Sequence, residues 1–375
     1  MEIDSDLDGG AIDVVDGSNP DDVTLTLRGD SQSEHRQWFH FRASDVMGRR
    51  LRFTIANAGD ATFPAGFEDY RACASYDGRR WFRVPTEFDG ERLRFNHTAV
   101  RNEVLYAYFA PYTFARHEEL LARAGRSRRA SLERLGESVE GREMMLVTVG
   151  SPHPERRTIW ITARQHPGET MAEWFMEGLI DRLIDRRDPL SRALLERAVF
   201  HLVPNMNPDG GVLGNLRTNA AGRDLNRAWM EPSESETPEV LCARAAMEAT
   251  GVDLFLDVHG DERNPYVFAA GNEGNPSYSP RIETLEDLFS NALESLDWDF
   301  QREYGYPRDA PGDGDLSAAS NWVGERFDCL GLTLEMPFKD DANHPDPTRG
   351  WSPQRAIGFG RSVLESVFVC LEDLR

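Results

Sequence analysis

His166 and Glu169 stand three residues apart in Ile159-Trp-Ile-Thr-Ala-Arg-Gln-His166-Pro-Gly-Glu169-Thr. An apolar, strand-like run ends there and a helix-like run begins. That spacing can place an imidazole nitrogen and a carboxylate oxygen on one metal ion. The pair alone decides little, because a glutamate near a helix start is equally explained by the helix dipole. A second stretch changes the balance. Asp253-Leu-Phe-Leu-Asp-Val-His259-Gly260 is another apolar run ending in a histidine followed by glycine. Two histidines and a glutamate form the usual protein ligand set of a catalytic zinc, with the fourth position left to water. Of the nine histidines, only these two close apolar runs beside Gly-containing loops in this part of the chain. His201 falls inside the run 199–203 and reads as a core or surface residue. His35, His40, His97, His117, His153 and His344 show no partner pattern.

Zinc that activates water also needs a carboxylate that stays off the metal, to take the water's proton and hand it to the leaving group. Gly331-Leu-Thr-Leu-Glu335-Met-Pro337 supplies one at the end of an apolar strand, with Pro337 just beyond it. On its own Glu335 would pass as an ordinary strand-end glutamate; beside the His/Glu/His set it reads as the base. A third cluster, Gly214-Asn-Leu-Arg217-Thr-Asn-Ala-Ala-Gly222-Arg-Asp224-Leu-Asn226-Arg227, concentrates guanidinium groups in a polar loop. Arginine forks grip carboxylates and stabilise oxyanions. A solvated basic loop is the plainer explanation.

These residues need strands to carry them. From residue 144 onward, apolar runs of strand length (145–149, 158–162, 199–203, 253–258, 331–334) alternate with amphipathic stretches of helical length (170–184, 238–249, 282–293, 353–374). Such alternation predicts an α/β sheet covered on both faces, with chemistry where strands end in loops. Long Gly-, Pro- and Asp-rich loops at 264–280 and 304–315 lie in the same part. The first 115 residues differ. Short aromatic and β-branched runs separated by turn signals predict an all-β, sandwich-like domain, whose aromatic residues read as core. Residues 112–135 look helical and would bridge the parts. The expected division is 1–115 and 116–375.

The motifs together resemble the zinc metallocarboxypeptidase family. The likeness rests on Gly136-Glu-Ser-Val-Glu-Gly-Arg142, His166-Pro-Gly-Glu169, Pro204-Asn-Met-Asn-Pro-Asp-Gly210, Asp224-Leu-Asn226-Arg227, His259 after its apolar strand, and Thr333-Leu-Glu335. The β-rich first part with Tyr106-Ala-Tyr-Phe-Ala-Pro-Tyr-Thr is similar to the N-terminal domain of the cytosolic carboxypeptidase-like branch. The resemblance implies an α/β fold with a mixed sheet flanked by helices. It implies one Zn²⁺ per chain, held by His166, Glu169 and His259, and Glu335 as general acid/base. Arg217 would polarise the scissile carbonyl, Asn226 and Arg227 would hold the substrate's terminal carboxylate, and Asp224 would fix the ring of His166. The family sets a tyrosine over the substrate, for which Tyr306 or Tyr304 is available, with Tyr306 preferred. Better-known cytosolic members remove glutamates and carry a basic residue near there. This chain has Gly312-Asp-Gly-Asp315-Leu-Ser-Ala-Ala-Ser-Asn321 instead, with Arg308 the nearest cation, which argues against glutamate specificity. The implied activity is release of C-terminal residues from peptides or proteins. A zinc amidohydrolase acting on N-acyl amino acids or peptidoglycan-like peptides is the alternative, and a non-catalytic peptide-binding relative a more distant one.

Composition narrows the partners. Acidic residues number 64 against 42 basic, a net charge of −22, and Lys339 is the only lysine. Phosphate-rich nucleic acid and anionic membrane surfaces are therefore not expected partners, and no apolar run reaches the ~20 residues of a bilayer span. Four scattered cysteines predict reduced thiols rather than a disulfide framework. With an acidic N-terminus and no apolar leader, a cytoplasmic location is expected. The oligomeric state is not readable.

Overall fold

A computed structural model of the chain describes residues 1–374. Ten short strands precede the first helix: Glu2–Asp4 (β1), Asp13–Asp16 (β2), Val23–Thr26 (β3), His40–Ser44 (β4), Arg50–Ile55 (β5), Cys73–Ser75 (β6), Trp81–Arg83 (β7), Thr86–Phe88 (β8), Leu93–Thr98 (β9) and Glu103–Ala107 (β10). They form two five-stranded sheets, in the orders β1-β4-β10-β6-β7 and β2-β3-β5-β9-β8. Period-two alternation drives the packing: Leu51, Phe53 and Ile55 are fully buried while their neighbours are not. Phe53 of one sheet meets Phe41 and Tyr106 of the other at ring separations of 5.4 and 4.9 Å. The predicted sandwich of aromatic core residues is therefore present.

The second part is built on a seven-stranded mixed sheet. Its strands are Ala130–Glu137 (β11), Glu143–Val149 (β12), Arg157–Ala163 (β13), Ala198–Val203 (β14), Leu254–Asp261 (β15), Phe268–Ala270 (β16) and Leu330–Pro337 (β17). The order is β11-β12-β14-β13-β15-β17-β16. The central four, β14, β13, β15 and β17, run parallel, and the flanking strands are antiparallel. β14 and β15 are buried at every residue, which is why they read as continuous apolar runs rather than alternating ones. The helices are Phe114–Gly125 (α1), Met171–Ile184 (α2), Pro189–Arg197 (α3), Pro208–Leu213 (α4), Pro238–Thr250 (α5), Pro280–Leu296 (α6), Ala319–Phe327 (α7) and Pro353–Cys370 (α8). On β13, Ile159 and Ile161 pack into the cluster with α2 and α8, while Trp160 packs with α5 and α7, so helices cover both faces. None of the described helices is long and apolar enough to cross a membrane.

One expectation is corrected. Residues 112–135 are not one helix: α1 stops at Gly125, and β11 begins at Ala130. β11 is an edge strand paired only to β12, with a register shift between Arg134 and Gly136. Its Glu133, Arg134 and Glu137 are the charges that keep an exposed edge from pairing further, and in sequence they imitate a solvated helix.

α2, which starts just after Glu169, is held against α8 by close backbone contact. A Cβ on Gly178 would lie 2.1 Å from the Ile357 carbonyl oxygen, and one on Gly360 2.1 Å from that of Phe175. In a free helix Gly→Ala gains about 1 kcal/mol. Here overpacking dominates, so Gly178→Ala should destabilise the protein by about 1–3 kcal/mol. A lower midpoint in thermal melts checks this; an unchanged or raised midpoint refutes it.

Candidate metal centre and active site

The loop between β13 and α2 is shaped by a residue in the left-handed region, Arg164 at φ 60°. Its buried guanidinium fixes that conformation. Nε and Nη2 donate to the Pro167 carbonyl at 3.0 and 2.6 Å, and Nη1 donates to Glu173 Oε2 at 2.7 Å. The glycine of His166-Pro-Gly-Glu169 has a steric reason. The Gly168 N–H donates to the Leu216 carbonyl at 2.8 Å, and a Cβ on Gly168 would stand 2.9 Å from that oxygen. The His166 loop and the loop carrying Arg217 thus touch backbone to backbone.

The turn brings His166, Glu169 and, from the end of β15, His259 together in a buried cluster whose ligand atoms all lie within 4.8 Å of one another. His166 Nδ1 is 2.6 Å from Glu169 Oε1, and His259 Nδ1 is 2.8 Å from Glu169 Oε2. The far side of each ring meets a carboxylate: His166 Nε2 faces Asp224 Oδ1 at 3.0 Å, and His259 Nε2 faces Asp257 Oδ2 at 2.7 Å. Each ring thus faces carboxylate oxygens from both nitrogens, and a carboxylate only accepts; with a cation bound at the two Nδ1 atoms, each Nε2 keeps its hydrogen and donates it to Asp224 or Asp257. Two ring nitrogens and a carboxylate crowded at one point call for a positive charge among them, a proton or a metal ion. Burial disfavours a charged imidazole at His259, yet Asp257 and Glu169 outweigh burial and push its pKa well up. The cluster is built to hold a cation, and two imidazoles with one carboxylate are a donor set that fits zinc.

Asp257 was not singled out in sequence. It lies two residues before His259 on the same face of β15, a spacing that could have revealed it. It is itself held by Thr162 Oγ1 at 2.7 Å and Gln165 Nε2 at 2.5 Å. Partners of this kind are typically worth about 10- to 100-fold in metal affinity. Asp257→Asn should therefore keep the fold and weaken zinc binding by about that factor, as read by chelator competition; unaltered affinity would show that Asp257 does not orient the ring.

Glu335 is the register partner of His259 across the parallel pair β15–β17. Burial, the first cause, together with Glu169 and Asp261, pushes its carboxyl well above the ordinary range against the opposing pull of His259. Tyr306 lies with its hydroxyl 3.0 Å from Glu335 Oε1 and 2.8 Å from Asp261 Oδ2. Tyr304 instead stacks on Tyr266 at 4.4 Å and touches none of these groups. Glu335 Oε2 has no hydrogen-bond partner among the described residues.

The third cluster splits. Arg217 turns inward and donates from Nε to Asp224 Oδ2 at 2.8 Å. Burial opposes a charge on Asp224, but His166 and Arg217 hold its carboxyl far below the usual range. Asn226 is buried: its Oδ1 accepts from the Ala319 N–H at 2.8 Å, and its Nδ2 lies 3.4 Å from His259 Nε2. Arg227 is half-exposed and 3.6 Å from Asp315. Arg223 faces away and pairs with Glu236. His166, Glu169, His259, Arg217, Asn226, Arg227, Tyr306 and Glu335 all line one cavity of about 820 Å³. Its outer part carries Glu273, Glu286 and Arg308, whose guanidinium is 3.3 and 3.5 Å from those two carboxylates.

Residues 119–354 match the family profile described as zinc carboxypeptidase, and residues 3–109 that of the cytosolic carboxypeptidase N-terminal domain. Among solved structures, a metallo-carboxypeptidase from Pseudomonas aeruginosa in complex with (2-guanidinoethylmercapto)succinic acid is similar at 48% identity, over 100% of both chains, with a TM-score of 0.97. A metallo-carboxypeptidase from Burkholderia cenocepacia matches at 46% identity over 99% of both chains, also at 0.97. Mouse cytosolic carboxypeptidase 6 is 28% identical over 301 residues, which is 72% of this chain and 55% of that protein's length.

Proposed function

The chain belongs to the zinc carboxypeptidase family and is a peptide hydrolase, and from that premise we propose that it removes single C-terminal residues from peptides or proteins with one zinc ion per chain. The observation that carries the proposal is the convergence of His166, Glu169 and His259 with Glu335 one strand away and three cation or amide donors, Arg217, Asn226 and Arg227, in the same cavity. We take residues 1–115 as the N-terminal domain and 116–375 as the catalytic one.

A zinc ion bound by the three residues supplies Lewis-acid polarisation and a lowered pKa for water. The remaining work falls to this chain's side chains. Glu335 takes the water proton at Oε2, the oxygen that Tyr306 does not occupy, and returns it to the departing amine. Arg217 donates to the carbonyl oxygen as charge develops there. Arg227 and Asn226 bind the terminal carboxylate, the guanidinium as a two-pronged donor. Tyr306 covers the cavity beside Glu335. Reduced cysteines, none of them paired among the described residues, support a cytoplasmic setting.

The outer pocket supports a preference for neutral or cationic C-terminal side chains. Arg308 is already engaged by Glu273 and Glu286, and carboxylates outnumber guanidinium groups along the cavity wall, which leaves an acidic surplus. The guanidino ligand in the Pseudomonas relative agrees with that reading. The test is a panel of peptides differing only in the last residue, run beside N-acyl amino acids. Release of C-terminal Arg, Lys or neutral residues is expected. Faster hydrolysis of N-acyl amino acids would favour the amidohydrolase alternative, and a preference for C-terminal Glu would overturn the pocket reading.

A further inference from the structure

Asp30 belongs to the N-terminal sandwich, 187 residues before Arg217 in sequence, yet its buried carboxylate is spent on the loop that carries Arg217. Oδ1 accepts from the Leu216 N–H at 2.6 Å. Oδ2 accepts from the N–H groups of Arg217 and Thr218 at 2.8 and 2.9 Å, and from Thr218 Oγ1 at 3.1 Å. Three successive amides thus converge on one anion from another domain. The neighbouring residues continue the grip. The Ser31 N–H donates to Asn215 Oδ1 at 3.0 Å, and Gln32 Nε2 donates to the Ala220 carbonyl at 2.9 Å. Gly222 has φ 74°, and a Cβ there would lie 2.4 Å from the Gln32 carbonyl oxygen, so the two segments cross with no room to spare. Phe63, also from the sandwich, lies under the Arg217 guanidinium at 5.7 Å.

Among the described residues, the one catalytic-domain side chain that hydrogen-bonds the Arg217 guanidinium is Asp224. Between α4 and α5 this stretch has no strand, and its only helical piece is one short turn at Leu225–Arg227. The Gly168 N–H and the side chains of Asn215 and Asn219 hold this stretch from within the catalytic part, and Asp30 takes the amides of 216–218 from outside it. A donor that stabilises a developing oxyanion works only when it is fixed in advance, and a misplacement of about 1 Å can cost on the order of 100-fold in rate.

We propose that Asp30 is a positioning residue for Arg217: the N-terminal domain completes the active site by clamping the backbone of residues 216–218, with Phe63 steadying the guanidinium. This rests on the reading of Arg217 given above. The experiment is a double-mutant cycle in the full-length, zinc-loaded protein with a C-terminal Arg or neutral peptide. Asp30→Ala should lower kcat by about 10- to 100-fold, with KM moved by less than about threefold. Its zinc content should equal that of the wild type, and amide hydrogen exchange at 216–218 should accelerate. In an Arg217→Ala background the same substitution should cost almost nothing further, because its effect passes through Arg217. Asp30→Asn, which keeps the shape but offers one acceptor oxygen, should fall between and serves the same cycle if the alanine variant does not fold. A kcat loss that multiplies fully in the Arg217→Ala background, or a folded Asp30 variant with wild-type kcat, overturns the proposal. Wild-type kcat in Arg217→Ala alone would instead remove the role given to Arg217 itself.

Discussion

Glu335→Gln will lose about 10²- to 10⁴-fold in kcat while binding zinc as the wild type does. The substitution keeps the volume and still offers an oxygen to the Tyr306 hydroxyl, now 3.0 Å from Oε1. What it removes is the capacity to take a proton. Glu335 is not among the three converging ligand residues, so metal content should not fall. Stability gives an independent reading. Burial, Glu169 and Asp261 disfavour a charge on Glu335 more than His259 and the Tyr306 hydrogen bond favour one, so in the metal-free protein a neutral amide there should leave the melting midpoint unchanged or higher. Zinc by elemental analysis, kcat on a C-terminal peptide and a thermal melt together check the prediction. A Gln variant within tenfold of wild-type kcat would eliminate Glu335 as the proton carrier.

His166→Ala is expected to lose the metal itself. Removing one of three donors leaves Glu169 and His259 alone, which should cost far more than the roughly 10- to 100-fold attached to a supporting hydrogen-bond partner such as Asp257. It also releases Asp224, which now bonds His166 and Arg217 together. In the wild type, chelation should abolish activity, added Zn²⁺ should restore it, and the melting midpoint should fall on metal removal, since a ligand bound only by the folded state stabilises it. In His166→Ala the midpoint should not respond to chelator or zinc, and zinc should not restore turnover. A variant that retains stoichiometric zinc through dialysis would exclude His166 as a ligand.

The site was readable in sequence wherever a polar residue ended an apolar strand. His259 and Glu335 lie two residues inside the ends of β15 and β17, and His166 follows β13 by three residues, so the pattern showed each as a polar residue near a strand end, and only their combination pointed to a metal. Arg217, Asn226 and Arg227 were visible as a cluster, and the family resemblance rather than the local pattern set Arg217 and Arg227 apart from Arg223, which pairs with Glu236 at the surface. Asp257 stayed hidden because it sits mid-run in a strand otherwise apolar. Arg164 stayed hidden because its left-handed backbone is fixed by contacts to Pro167 and Glu173 that no local pattern records. Asp30 is further out of reach, since its meaning lies in a contact between domains. The fold followed similar lines. Buried strands announced themselves, while the edge strand β11, solvated and charged, passed for a helix.

His259 and Glu335 face one another on adjacent parallel strands, so the spacing between ligand and base is dictated by main-chain ladder geometry, about 4.8 Å from strand to strand. The outer cavity wall proposed to face the substrate's side chain, with Arg308 on it, instead hangs from residues 297–318, which contain neither helix nor strand. The two parts meet at Tyr306, whose hydroxyl lies 3.0 Å from Glu335 Oε1. Exchanging that loop for another of compatible ends that keeps Tyr306 should shift the preferred C-terminal residue while leaving the strand-to-strand distance between His259 and Glu335 as it is.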